Sequence, residues 1–181
     1  PAGQAQIHPS EPEGSPPGSD AYHPMVAEIP NNRGQTDPAV KSYLIAAKSQ
    51  NNPAIAERAV RIAVYGEDYD AANEAAHRWI ELEPDRLEAR LIIVGIYIQQ
   101  NKINDAFEYL DEVIETSEIP DEELFFPLLS VLPQGKNTEA VLSIMRGIAD
   151  KHDDKAHAQF IYGVLAAQAG QSEEALKYLD R

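Results

Sequence analysis

Five short strings recur along this chain at a nearly constant interval, and that interval limits the fold more than any other feature. They are TDPA at 36–39, YDAA at 69–72, INDA at 103–106, NTEA at 137–140 and SEEA at 172–175. Their alanines, Ala39, Ala72, Ala106, Ala140 and Ala175, stand 33, 34, 34 and 35 residues apart. An interval of about 34 residues is the length of one helical hairpin, a unit that cannot bury its apolar face alone and stacks on copies of itself. From Asp20 onward the chain is alanine-rich and amphipathic, broken by Gly or Asn, with no Val/Ile/Thr run at period two to suggest strands. The expectation is an all-α array over 20–181, with units starting near 20, 53, 87, 121 and 156, the first degenerate and the last truncated.

The residues around the ladder support the same frame. The shared alanine marks the closest crossing of the two helices of a unit, and the facing position carries Ala27, Val60, Val94, Leu128 and Gly163. A turn residue tolerant of positive φ is wanted between the helices, and Gly34, Gly66, Asn101, Gly135 and Gly170 stand at or beside that place. Tyr43, Ala76, Leu110, Ile144 and Leu179 supply the apolar face of each second helix. Trp79 is expected in the core between units, with Tyr69 and Ile80. Pro24, Pro30 and Pro127 fall inside first helices, so the helix over 121–132 should start late or kink at Pro127.

Residues 1–19, PAGQAQIHPSEPEGSPPGS, hold five prolines and three glycines and almost nothing to bury. Ordering such a stretch costs about 1–2 kcal/mol of backbone entropy per residue with no apolar return, so it reads as a flexible tail. The formal charge of −15 repels phosphate backbones and anionic headgroups and favours basic protein partners over nucleic acid. Without cysteine there is no disulfide or thiolate metal site. The longest nearly apolar run, Leu91 to Ile98, is far short of the ~20 residues of a membrane-spanning helix. No secretory signal opens the chain, and it stops inside a helical pattern, which suggests a fragment.

The 34-residue period, the alanine ladder and the turn residues resemble the tetratricopeptide repeat (TPR) family over about residues 20–181. The pattern departs from that family in lacking the aromatic near the start of each first helix, and the inter-repeat proline survives clearly only as Pro84. The resemblance implies a right-handed solenoid of helical hairpins that binds proteins or peptides. A narrower resemblance lies in MVAEIPNNRGQTDPAVKSYLIAA and AERAVRIAVYGEDYDAANEAAHRWIELEPDRLEAR. These look like the N-terminal array of gammaproteobacterial outer-membrane TPR lipoproteins, some of which are adaptors of periplasmic C-terminal processing proteases. That likeness implies a periplasmic protein, anchored at the outer membrane in its parent, whose partner is a protease or an envelope assembly enzyme. The lipidated cysteine of such proteins is absent here.

A TPR array usually binds through the concave groove lined by its first helices. Residues three to four apart share one face, and this register puts Glu57, Arg61 and Tyr65, then Leu91, Ile98 and Gln99, then Phe125 and Leu129, then Phe160 and Val164 in that groove. For Leu91, Phe125 and Phe160 the alternative is that they seal one unit against the next. The Lys/Asn/Arg set that clamps a peptide's terminal carboxylate in some TPR domains does not occur at these positions.

Chemistry is thinly represented. Glu74 and His77 form a single E-x-x-H, half of the pattern that di-iron bundles use in pairs; a solvated helix surface is the plainer account. His152, Asp153, Asp154 and His157 could hold zinc, or Asp153 or Asp154 could simply cap the next helix. His8 and His23 lie in or near the tail. No phosphate loop or nucleophile elbow is present. The expectation is therefore a binding protein with no metal, no cofactor and no catalytic residues. The rivals are a self-assembling repeat protein and an envelope enzyme with a His/carboxylate site.

Overall fold

The computed structural model describes residues 37–132, 135 and 137–180. The expected tail at 1–19 lies outside the described residues, as do Pro24, Ala27, Pro30, Gly34, His8 and His23. Among the described residues there are ten helical segments and no strand: α1 Pro38–Ser49, α2 Pro53–Tyr65, α3 Tyr69–Leu82, α4 Leu87–Gln99, α5 Ile103–Thr116, α6 Asp121–Phe125, α7 Leu128–Val131, α8 Thr138–Lys151, α9 Ala156–Gln168 and α10 Ser172–Leu179. The fold is an all-α TPR-type solenoid.

Local chemistry sets the helix starts. Pro38 and Pro53 open α1 and α2, where the missing N–H costs nothing. The side chains of Asp37, Asn52 and Asp68 accept hydrogen bonds from the backbone N–H groups of Ala39, Ala54 and Ala71 at 2.7, 3.0 and 3.0 Å, satisfying donors the helices cannot satisfy themselves. The capping expected of Asp153 or Asp154 does not occur. The α9 N-cap is Lys155, which makes no side-chain cap, and its ammonium instead reaches Asp121 Oδ1 at 2.8 Å.

The helices pack in hairpins, α2 on α3, α4 on α5 and α9 on α10, and consecutive units are joined through α3 to α4, α5 to α8, α8 to α9 and α6 to α9. The core accordingly forms two clusters. One is built on α1 to α4 around Trp79; the other runs from α4 to α10 around Leu110, Phe125 and Met145. Helix α4 belongs to both: Ala89, Ile93 and Ile96 face the first, Leu91, Val94 and Ile98 the second. A helix squeezed from two sides is apolar nearly all round, which is why LIIVGIYI has no polar face. Ala72, Ala106 and Ala175 of the ladder are buried, as are Val60, Val94, Leu128 and Gly163 opposite, whereas Ala39 and Ala140 are half-buried. Of the second-helix set, Ala76, Leu110 and Ile144 are buried and Leu179 is exposed.

The fourth unit breaks at Pro127. Its first helix begins on time at Asp121, stops at Phe125 and resumes at Leu128. Proline lacks the N–H that would bond to Glu123, and the chain crosses the gap with tighter bonds, Leu129 N–H to Phe126 O at 3.2 Å and Ser130 N–H to Pro127 O at 3.0 Å.

The turns differ from expectation at one unit. Asn101, Gly135 and Gly170 do take positive φ, at 59°, 82° and 80°, but Gly66 sits at −79° and its neighbour Glu67 takes the left-handed conformation instead, at 57°. A branched-chain-free but Cβ-bearing residue held there costs about 1 kcal/mol or more. Glu67→Gly should therefore stabilise the protein by about 0.5–1 kcal/mol, read as a higher midpoint in urea; an unchanged or lower midpoint would show that the turn carries no such strain.

Candidate functional site

Helix α2 presents the groove residues as its spacing demands. Glu57, Arg61 and Tyr65 are one turn apart on one face, and Tyr65 is 78 % exposed. Arg61 is held by its own helix and the next unit together. Its Nε and Nη2 donate to Glu57 Oε1 at 3.0 and 2.6 Å, and Nη2 lies 3.3 Å from Glu88 Oε1 on α4. A fixed guanidinium with its remaining N–H groups in solvent is a preformed donor for a carboxylate or carbonyl of a partner.

On α4 and α6 the expected register fails. Leu91, Ile98 and Phe125 are fully buried in the downstream core and cannot meet a partner. The residues beside Leu91 and Phe125 reach outward instead, Ile92 partly and Phe126 with 47 % of its surface exposed. Gln99 is exposed and its Oε1 accepts from Asn137 Nδ2 at 3.0 Å, tying α4 to the start of α8. Leu129 and Val164 are half-buried, and Phe160 is 46 % exposed.

The structure thus assembles a feature that spacing alone missed. Phe126 meets Phe160 edge-on with centroids 6.3 Å apart and His157 edge-on at 5.7 Å, so three rings, one just past the end of α6 and two from α9, form a shelf that is open to solvent. At the other end of the same seam, between α7, the start of α8 and the end of α9, lies an open pocket of about 270 Å³ lined by Leu129, Leu132, Val141, Leu142, Leu165 and Gln168.

The suspected metal ligands are dispersed or already engaged. Glu74 is paired with Lys48, and His77 stands exposed beside them in a polar hollow with Asp70, Asn73 and Arg78. His152 does not join Asp153, Asp154 and His157. It is buried against Asp111 of α5, with Nε2 2.8 Å from Oδ1, and because a carboxylate can only accept, Nε2 carries the proton. Asp111, Glu115 and His152 bring three ligand atoms within 4.8 Å of one another, but Lys151 places its ammonium on both carboxylates, at 2.9 Å from Glu115 Oε1 and closer still to Asp111 Oδ2. The cation of this cluster is the protein's own, and its work is to clamp α8 to α5.

Partial burial pushes the Asp111 carboxyl up, yet the hydrogen bonds from Lys151 and His152 outweigh it and hold its pKa below the ordinary carboxylate value. A pKa lowered in the folded state gives stability that is complete above the unfolded value near pH 4 and fades as acid carries the pH down through the folded one. Asp111→Ala leaves the buried His152 N–H without its acceptor, at a cost of about 1–3 kcal/mol near neutral pH. In melts run from pH 7 downward, the gap between variant and parent should begin to narrow near pH 4 and go on narrowing as the pH falls further; a constant gap would mean that the charge of Asp111 is not what stabilises the contact.

Comparisons with known proteins agree with this architecture. Over 161 residues the chain is 27 % identical to the TPR repeat-containing protein PA4667 of Pseudomonas aeruginosa, a match that takes in 88 % of this chain and 27 % of the relative, so the chain spans about a quarter of that protein's length. No helix among the described residues is long and apolar enough to cross a membrane. A tetratricopeptide repeat family model matches residues 57–121 and 130–181, the same hairpins that the structure stacks from α2 to α10, and the chain belongs to the tetratricopeptide repeat family.

Proposed function

We propose that this chain is an adaptor or assembly scaffold of the bacterial cell envelope that holds a partner protein on the face of its first helices and delivers substrates to a periplasmic protease. The observation that carries the binding role is the spending pattern of those helices. Their apolar faces are consumed by the stack, yet Arg61 and Tyr65 of α2, Phe126 at the end of α6 and Phe160 of α9 stay at the surface. Exposed aromatics and a fixed arginine are the residue types that most often carry binding energy. An adaptor needs no chemistry of its own: tethering a protease and its substrate on one array raises their effective concentration. The envelope location rests on the likeness to outer-membrane TPR lipoproteins.

The test is affinity capture from envelope extract with the parent chain, Arg61→Glu and Phe160→Ala. Both substitutions are at exposed positions and should leave circular dichroism unchanged while removing one dominant partner. Capture of the same proteins by parent and both variants would show that this face does not bind. Fractionation of cells carrying the parent gene should place its product with the envelope; recovery in the cytosol would sink the location.

Self-assembly is favoured by a separate observation, the exposure of Leu176 and Leu179 on α10. If that face pairs copies, Leu176→Glu should convert a dimer to a monomer in light scattering, and a parent already monomeric would end this reading.

A further inference from the structure

We infer that the seam between the fourth and fifth units binds an extended segment of a partner protein that carries a lysine or arginine with an apolar side chain about three residues away. The inference rests on the binding role proposed above and specifies the chemistry of its occupant.

The cationic half follows from the shelf and its rim. Phe126 and Phe160 offer ring faces and edges to solvent, and an aromatic face attracts an ammonium or guanidinium within about 6 Å. The elements that carry the rings also carry acids: Glu122 and Glu123 stand four and three residues before Phe126, and Asp153 and Asp154 stand on the turn that leads into α9. All four are exposed, and among the described residues none has a basic partner. The nearby cation, Lys155, is committed to Asp121. Four exposed carboxylates without a basic partner on the elements that carry these rings, in a chain of net charge −15, favour a cation at the shelf and repel an acidic segment.

The apolar half follows from the pocket at the seam's other end. Its lining is mainly leucine and valine, and about 270 Å³ accommodates one large aliphatic or aromatic side chain. The spacing comes from α9 itself. From Phe160 to Gln168 is eight residues, or roughly 12 Å at 1.5 Å per residue, and an extended segment covers that in three to four residues at about 3.3 Å each.

The test uses the full chain and fluorescein-labelled octapeptides of Gly and Ser carrying Arg and Leu three residues apart, in both chain orders, read by fluorescence anisotropy. One of the two orders should bind. Replacing its Arg by Glu, or its Leu by Ser, should weaken binding at least tenfold. Phe160→Ala and the double change Glu122→Lys with Glu123→Lys should each do the same with unchanged circular dichroism, and raising salt from 0.05 to 0.5 M should weaken binding severalfold. No binding by either order, equal binding of the Glu peptide, or indifference to Phe160→Ala would overturn the inference. Those failures leave the adaptor reading standing if Phe160→Ala still loses its partner in the capture experiment, so the two are distinguishable.

Discussion

Phe125→Ala should lower the stability of the downstream half of the array by about 3–5 kcal/mol, the cost of emptying a core site of a large aromatic, and for an array of this size that is roughly a 10 °C fall in Tm. The ring is fully buried among Leu124, Leu128 and Leu91 at the end of a helix only five residues long. Helices as short as α6 and α7 have no stability of their own. Side-chain burial is what keeps them in place, so losing the largest anchor removes more than its own contacts. Phe126→Ala, one residue on, should change Tm little because the ring is half in water.

The same variant reports how the array is coupled. Solenoid units interact with their neighbours, so damage in one cluster need not spread to the other. Trp79 lies in the upstream cluster with its indole N–H on Glu83 Oε2 at 2.8 Å, whereas Phe125 lies downstream. In the variant the helical circular dichroism should begin to fall at a lower temperature than the Trp79 emission shifts, a separation that two-state melting forbids. Coincident transitions with an unchanged Tm would mean that Phe125 is not the seal the structure makes it.

The array was legible in the sequence because its period is carried by alanines at the helix crossings, three of them buried, and α2, α4, α6 and α9 begin at Pro53, Leu87, Asp121 and Ala156. The binding face was less legible, for a physical reason. Spacing identifies a surface stripe only when a helix has a polar side to contrast with it, as α2 does with Glu57 and Arg61. Helix α4, buried on both flanks, offers apolar residues at every phase, so Leu91 and its half-exposed neighbour Ile92 look alike in the sequence. Phe125 and Phe126 pose the same problem beside a helix break.

The polar contacts between units carried a signal that grouping by chain proximity could not see. Lys155 and Asp121 are 34 residues apart, one full period, and His152 and Asp111 are 41 apart, one period plus two helical turns. Side chains separated by a period, or by a period and a whole number of turns, face each other across equivalent helices of stacked units, first helices for Lys155 and Asp121 and second helices for His152 and Asp111. Asp153 and Asp154 adjoin His152 in the chain, whereas its partner Asp111 stands on the preceding unit.

Gly95→Ala is expected to destabilise the protein by about 1–3 kcal/mol even though the residue lies in the middle of α4, where exchanging glycine for alanine ordinarily gains up to about 1 kcal/mol. A Cβ built on Gly95 would sit 2.6 Å from the carbonyl oxygen of Val131, the last residue of α7. The obstacle is backbone, which cannot swing aside. Helix α4 is fixed between two core clusters, so the strain falls on α7, four residues long and separated from α6 by the break at Pro127. Gly147→Ala is the informative contrast, because the added methyl would meet the Phe107 ring at 2.9 Å and a half-buried ring can tilt away. Urea melts should therefore rank Gly95→Ala below Gly147→Ala, and a Gly95→Ala midpoint at or above the parent's would contradict the close approach of α7 to α4. Because α7 carries Leu129, which lines the seam pocket, its displacement should also weaken the Arg/Leu octapeptide under conditions where the variant is still folded, linking a glycine with no surface of its own to the binding face.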